Sequence, residues 1–200
     1  MSALALRLPQ VGGRASWRAL LPRLFALLLV VAGLVQFGQG LWIPVKAQVA
    51  QVLLDRSFSA SMDAGAPLKP WPWADMQPVA RITATRLDVS DVVLSGASGQ
   101  AMAFGPTEVL DNGSVRILAA HRDTHFRFMR DLRVGDELVL QGINGVKHRY
   151  RVTHFQTVRW DGFAYPVSPD RELLALATCY PFDAVEPGPL RRVAWAELVE

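Results

Sequence analysis

The longest apolar stretch of the chain lies near its start, at Leu24–Ile43. It holds no charged residue, and its strongly polar side chains are Gln36 and Gln39. A helix needs about 20 mostly apolar residues to cross a bilayer. The pattern therefore predicts a transmembrane anchor over residues 24–43. A cleaved signal peptide, cut near Ala47–Ala50, is the alternative.

The residues before this stretch set its expected orientation. Segment 1–23 carries positive charge and no acidic residue, and its basic side chains are Arg7, Arg14, Arg18 and Arg23. Because positive flanks stay in the cytoplasm, residues 1–23 are predicted to be cytoplasmic. The chain after the anchor is then predicted to lie outside the cytoplasm.

Residues 44–75 follow the anchor and combine two patterns. Within Lys46–Met62 the apolar residues repeat every three or four positions, which predicts an amphipathic helix. That helix could lie on the bilayer or pack on the domain. Pro67, Pro70 and Pro72 then prevent a helix from continuing and indicate a linker.

From residue 76 onward the pattern changes to short β-prone runs between turn signals. Asn144-Gly145, between two of these runs, is typical of a β-hairpin. Phe126–Leu132 has the spacing of a short helix or turn. The even spacing of the runs predicts an all-β domain over residues 76–200, a closed barrel or a sandwich. The predicted strands are Val79–Thr85, Val89–Leu94, Ala101–Phe104, Val115–Ala120, Glu137–Gln141, Val146–Val158, Leu173–Cys179 and Leu190–Val199.

The charge is unevenly distributed along the chain. The protein has a formal net charge of +3, yet five basic residues and no acidic ones precede Asp55. The remaining 16 basic residues are outnumbered by 18 acidic ones. The β domain is therefore mildly acidic and has no basic stripe with interleaved aromatics, so we expect no nucleic-acid partner.

Cys179 is the only cysteine in the sequence and ends the apolar run Leu173–Thr178. A rigid strand that ends at a thiol, with Pro181 opening a loop, is a good support for a nucleophile. A buried, inert cysteine is the alternative, because free cysteines are often buried. An unpaired thiol is unusual outside the cytoplasm, where cysteines are usually oxidised in pairs, and this favours the reactive interpretation.

A cysteine attacks as its thiolate, and an ordinary thiol titrates near ~8.5, so a cation must lie close to it. His121, which ends the run Val115–Ala120, and Arg191 are the candidates. A histidine can hold the thiol proton and later protonate a leaving amine. An arginine can stabilise the oxyanion of a tetrahedral intermediate. The chemistry indicated is acyl transfer through a thioester, to water in a peptidase or to an amine in a transpeptidase.

His125 lies four residues after His121 and raises the possibility of a metal site. Zinc needs three or four ligands, so Cys179 would have to join the pair. We favour the thiol chemistry and expect neither a metal nor another cofactor.

Three stretches together resemble the signatures of sortases. They are His121-Arg-Asp-Thr-His-Phe after one strand, Leu176-Ala-Thr-Cys-Tyr-Pro-Phe at the end of another, and Leu190-Arg-Arg-Val-Ala-Trp-Ala opening the last. The amino-acid sequences of the first two stretches are most similar to those of the Gram-negative sortase class. The resemblance covers about Trp71 to the C-terminus, together with the membrane anchor before it.

The resemblance implies a β-barrel of about eight strands with its active site at one mouth, and a cysteine transpeptidase activity. His121, Cys179 and Arg191 correspond to the catalytic residues, and Arg192 is expected to turn away because neighbouring strand residues face opposite sides. The implied partners are a protein with a C-terminal sorting signal and an amine acceptor. The implied location is the inner membrane, with a single pass and a periplasmic domain.

Three further residues are predicted to bind substrate: Thr178, Tyr180 and Phe182. Thr178 matches a sortase threonine, whereas Tyr180 and Phe182 are expected to form the wall of the mouth. The chain departs from the family pattern at Ala120, where sortases usually have glycine. Ala120 therefore keeps open the alternative of a catalytically silent, anchored peptide-binding barrel. A cysteine peptidase that only hydrolyses is the alternative among enzymes.

Overall fold

The computed structural model describes residues 17–96 and 98–199. Its first element is a single helix, α1 (Trp17–Ala64), which runs through Pro22 and Pro44. The predicted anchor and the predicted amphipathic helix are therefore one continuous element. By length and composition α1 is apolar enough to span a membrane. Of the predicted cytoplasmic segment, residues 1–16 lie outside the described residues.

The chain divides after Lys46 into two compact units. In the second unit, the last part of α1 packs on the β domain through Leu54 and Phe58, which are buried with Met76, Val92 and Leu94. These two helix residues are four positions apart and lie on one face. The apolar face that the helical periodicity predicted thus packs on the β domain.

Eight strands follow and close into a barrel, which confirms the predicted fold class. The bounds of the strands are β1 Pro78–Ala84, β2 Val89–Ser95, β3 Thr107–Asp111, β4 Val115–Ala119, β5 Glu137–Gly142, β6 Lys147–Arg159, β7 Leu173–Tyr180 and β8 Leu190–Leu198. Around the barrel they follow the order β1-β2-β3-β4-β7-β8-β6-β5. The predicted hairpin at Asn144-Gly145 joins β5 to β6, and Gly145 adopts a φ of 78° that favours glycine.

One predicted strand is wrong. Ala101–Phe104 belongs to a short helix, α2 (Gly99–Phe104), which the Ser98 side chain caps by accepting from the amide of Ala101 at 3.1 Å. The segment contains good helix formers and no β-branched residue, so it favours a helix once it is capped. Its place in the barrel is taken by β3, whose Glu108 and Asp111 interrupt the apolar pattern that marks the other strands.

The interior of the barrel is filled by alternate residues of its strands. From β7 these are Leu174 and Leu176, which pack with Leu118, Leu138 and Leu140. The intervening residues of β7 face outward, where Ala175 joins a second buried cluster with Ile117, Val193 and Trp195. The predicted short helix after His121 is a 3-10 helix at Arg127–Arg130, and its Phe128 and Met129 close one part of the interior.

Candidate active site

The outward-facing cluster borders a cavity of about 590 Å³. Strands β4, β7 and β8 form its floor, and the loop between β6 and β7 forms part of its wall. Side chains alternate between the two faces of a strand. The residues of these strands that do not fill the barrel interior therefore point outward and form this floor. The lining residues are Met102, Val109, Leu110, Ile117, Ala119, Ala120, His121, Trp160, Phe163, Tyr165, Ala177, Thr178, Cys179, Arg191 and Val193.

Cys179 lies one residue before the end of β7 and is a half-buried free thiol. Its Cα partner across the antiparallel β7–β8 pair is Arg191. Directly paired residues point to the same face of a sheet. The pairing therefore brings the Arg191 guanidinium and the Cys179 thiol to the same side, and both line the cavity.

His121 reaches the cavity from β4, which runs parallel to β7 with Ala119 opposite Ala177. The pairing continues for one more residue, since the amide of Ala120 donates to the carbonyl of Ala177 at 3.3 Å. Parallel strands carry their C-terminal ends to the same edge of a sheet, so His121 and Cys179 leave their strands side by side. His121 is exposed and also lines the cavity.

Thr178 lines the cavity, and it is almost fully buried between Cys179 and the residues of β7 that fill the barrel interior. Only 2% of Thr178 is exposed. Its hydroxyl donates to the carbonyl of Ala120 at 2.7 Å. The side chain thus ties the residue before Cys179 to the residue before His121.

The two neighbouring arginines of β8 point to opposite faces. Nη1 of Arg191 donates to the carbonyls of Gly188 and Leu190, each at 2.9 Å. Arg192 lies on the other face, where its guanidinium carbon is 4.7 Å from the centre of the Phe155 ring. Arg191 is therefore the arginine that the structure brings to the cavity.

Tyr180 and Phe182 line a different cavity, together with Arg130, Pro181 and Asp183. Their rings meet edge to face with centroids 5.7 Å apart. Tyr180 lies two positions after Thr178 on β7, so its side chain points to the same face of the strand, opposite to that of Cys179. This explains why Tyr180 does not line the cavity of Cys179. Substrate contact by Tyr180, Phe182 and Thr178 stays a prediction.

His125 does not join His121. Its Nδ1 lies 3.0 Å from Oδ1 of Asp91, and it borders a cavity with Val89 and Phe128. Across residues 17–96 and 98–199, no group of three or more histidine, cysteine, aspartate or glutamate side chains is placed to hold a metal ion. His121 and His125 thus border different cavities.

Sequence reasoning missed the aromatic wall of the cavity, which Trp160, Phe163 and Tyr165 supply. The Phe163 ring stacks on Trp195 of β8, with centroids 6.0 Å apart. The signal was present as three aromatics within six residues of a loop, where aromatic side chains are uncommon unless they pack or bind. Their position over the floor depends on how the loop folds back, which the sequence pattern does not reveal.

Comparison with known proteins identifies the family. The sortase domain matches residues 82–199, more than half of the chain. The protein therefore belongs to the sortase family, as the resemblance of its motifs implied. The chain is 33% identical over 90 residues to sortase D of Bacillus subtilis (strain 168), a match that covers 44% of each protein. It thus spans less than half the length of that relative.

Solved structures agree with this assignment at the level of the fold. The chain is similar to sortase A from Corynebacterium diphtheriae, with a TM-score of 0.55 and 20% identity over 64% of this chain and 63% of that one. It is also similar to Listeria monocytogenes sortase A, with a TM-score of 0.55 and 21% identity over 62% of this chain and 88% of that one. The closed barrel is therefore a sortase barrel.

Proposed function

We propose that this protein is a membrane-anchored cysteine transpeptidase of the Gram-negative sortase class. It cleaves a sorting signal near the C-terminus of a partner protein and transfers the acyl group to an amine. One observation carries the proposal: His121, Cys179 and Arg191 line one largely apolar cavity. They come from three different strands or strand ends, so their convergence is a property of the fold.

In the first half of the reaction, Sγ of Cys179 attacks the carbonyl carbon of the scissile peptide bond as a thiolate. His121 holds the thiol proton and delivers it to the leaving nitrogen as the C–N bond breaks. Arg191 stabilises the oxyanion of the tetrahedral intermediate. Its described contacts use Nη1, so within residues 17–96 and 98–199 its Nε and Nη2 keep their donors for this oxygen. The products are a thioester and the released C-terminal fragment.

In the second half, an amine attacks the thioester carbon and His121 accepts the proton that the amine loses. The C–S bond breaks, the Cys179 thiolate is restored and a new amide bond is formed. Water in place of the amine gives hydrolysis. The balance between the two outcomes depends on how well the cavity excludes water once substrate is bound.

The composition of the cavity supports an uncharged, apolar peptide segment as the donor substrate. The aromatic rings of Trp160, Phe163 and Tyr165 line it together with aliphatic side chains such as Ile117 and Val193. A cavity of about 590 Å³ lies within the usual range for ligand sites, about 300–1,000 Å³. Burial of apolar side chains here holds the scissile bond against Cys179.

The subclass and the location rest on the sequence motifs and on α1. The His121-Arg-Asp-Thr-His-Phe motif supports the Gram-negative class, and the basic segment 1–23 supports a cytoplasmic N-terminus with a periplasmic barrel. A reporter fused after Glu200 should be active only outside the cytoplasm. Activity of a cytoplasmic reporter at that position contradicts the orientation.

Mass spectrometry tests the enzymatic proposal directly. The purified protein is incubated with candidate sorting peptides, with and without an added amine, and its intact mass is followed. We expect an acyl adduct on Cys179 that the amine discharges faster than water does. Equal discharge without the amine makes the protein a peptidase. Absence of any adduct, together with a thiol that fails to react with iodoacetamide, favours a silent peptide-binding barrel.

A further inference from the structure

Arg122 follows His121 directly, yet its side chain is only 7% exposed. It extends away from the cavity toward residues 181–189, the loop that joins Cys179 on β7 to Arg191 on β8. Arg122 therefore connects the turn that carries His121 with the segment that leaves Cys179.

The contacts of this guanidinium are mostly with backbone oxygens. Nη1 donates to the carbonyl of Pro181 at 2.7 Å, and Nη2 donates to the carbonyl of Ala184 and, at 3.4 Å, to that of Glu186. Its acidic neighbour Asp123 lies 3.5 Å from Nε and is 72% exposed. A planar fork can satisfy several carbonyls at once, which a single ammonium group cannot match in the same geometry.

The other end of the loop is fixed by different groups. Arg191 donates to the carbonyl of Gly188 at 2.9 Å, and the amide of Trp160 donates to the carbonyl of Pro189 at 2.8 Å. Between these ends Phe182 packs against the barrel core, whereas Val185 is 98% exposed. The hydrogen bonds from Arg122 are therefore a main constraint on residues 183–186, and they act together with the packing of Phe182 at the start of the loop.

We propose that Arg122 is a positioning residue for acyl transfer. It locks the segment after Cys179 against the turn of His121, and so sets the spacing between the thiol and the imidazole. This inference rests on the proposed function, and Arg122 itself does not line the cavity of Cys179. A misplacement of about 1 Å between reacting groups can lower a rate on the order of 100-fold.

The test compares Arg122→Ala with Arg122→Lys, which keeps the charge but loses the fork. We expect kcat for acylation to fall about 10- to 100-fold in both variants while KM changes less than about twofold. Hydrogen exchange of residues 181–190 should rise in both, with residues 173–178 unchanged. Full activity of Arg122→Lys overturns the proposal, and this variant also decides the matter if Arg122→Ala does not fold.

Two controls separate positioning from loss of charge and from loss of stability. Arg127→Ala removes an exposed arginine close to the same turn and should leave kcat unchanged. Arg81→Ala removes an ion pair with Asp55 at 2.7 Å and a contact with the Phe58 ring at 4.9 Å, far along the chain from the site. It should lower Tm without lowering kcat; a loss of kcat that follows Tm equally in Arg81→Ala and Arg122→Ala overturns the proposal.

The hydrogen-exchange measurement requires no substrate. If the wild type forms no acyl adduct and its thiol does not react with iodoacetamide, the proposed function fails, whatever the exchange result. If the wild type is active but exchange of residues 181–190 is the same in wild type and Arg122→Lys, the positioning role fails instead.

Discussion

Thr178→Val is the perturbation that most directly probes how the site is held together. Valine has nearly the shape of threonine and removes only the hydroxyl, which donates to the Ala120 carbonyl at 2.7 Å. The contact joins β7, one residue before Cys179, to the residue before His121. Because Thr178 is 2% exposed, water cannot readily replace the lost donor.

The size of the effect follows from this burial. Leaving a buried carbonyl without its donor costs about 1–3 kcal/mol of unfolding free energy. For a chain of this size, 1 kcal/mol corresponds to a Tm shift of about 2–4 °C, so Tm should fall by about 2–12 °C. Since the contact spaces His121 from Cys179, kcat should also fall, on the order of 10-fold, with KM nearly constant.

Thr107→Val is the matched control for this experiment. Thr107 is fully buried, and its hydroxyl donates to the carbonyl of Ala119 at 3.3 Å. Ala119 is the last residue of β4 and directly precedes Ala120. The longer bond predicts a smaller Tm loss, and its position on β3 predicts no change in kcat. Thermal unfolding and steady-state peptide cleavage, measured on both variants, give the comparison.

The results can refute the reasoning in two ways. A rise in KM with unchanged kcat in Thr178→Val would mean that the hydroxyl binds substrate, as the family resemblance implies. An equal loss of kcat in Thr107→Val would mean that any weakening of β4 impairs the site. Thr178→Ser keeps the hydroxyl and should retain most of the activity.

Other predictions test the nucleophile, the oxyanion donor and the pH dependence of stability. Cys179→Ala should show no turnover and no acyl adduct by intact mass. Arg191→Ala should lose on the order of 10²–10³ in kcat, as expected for an oxyanion donor, whereas Arg192→Ala should stay close to wild type in the same cleavage assay. The hydrogen bond from the Arg86 guanidinium lowers the pKa of Asp136. A lowered carboxyl pKa stabilises the fold above the pKa of the unfolded chain, and this gain is lost as pH falls through the folded value. Asp136→Asn should therefore reduce unfolding free energy at pH 7 but not at strongly acidic pH, as measured by urea denaturation.

Much of the barrel could be predicted because its strands carry the apolar pattern of a filled interior. Seven of the eight predicted runs overlap a strand of the structure. The exception, Ala101–Phe104, was misjudged because an apolar tetrad fits a strand and a buried helical turn equally well. β3 was missed for the opposite reason, since Glu108 and Asp111 make it polar at positions where Arg116 on the neighbouring strand pairs with them.

The residues at the centre of the candidate site could be predicted because each stands at a strand end. The face on which they meet could not, because it depends on strand order. The resemblance implied a site at one mouth of the barrel, and the cavity beside these strand ends is lined by outward-facing residues of β4, β7 and β8. The contacts of Arg122 could not be predicted, since carbonyls more than 50 residues away leave no trace in a local pattern.

The parallel pairing of β4 with β7 has a consequence for how the protein folds. These neighbours lie 58 residues apart in sequence at the Thr178–Ala120 contact, and β5 and β6 must be placed elsewhere in the barrel in between. Such distant pairings form slowly, because the entropy of closing a long loop is lost before their contacts stabilise the chain. Cys179 and Arg191 pair across a short connection, residues 181–189, whereas His121 reaches them only through the distant pairing of β4 with β7. A chain caught part-way through folding therefore carries the cysteine before the histidine lies beside it.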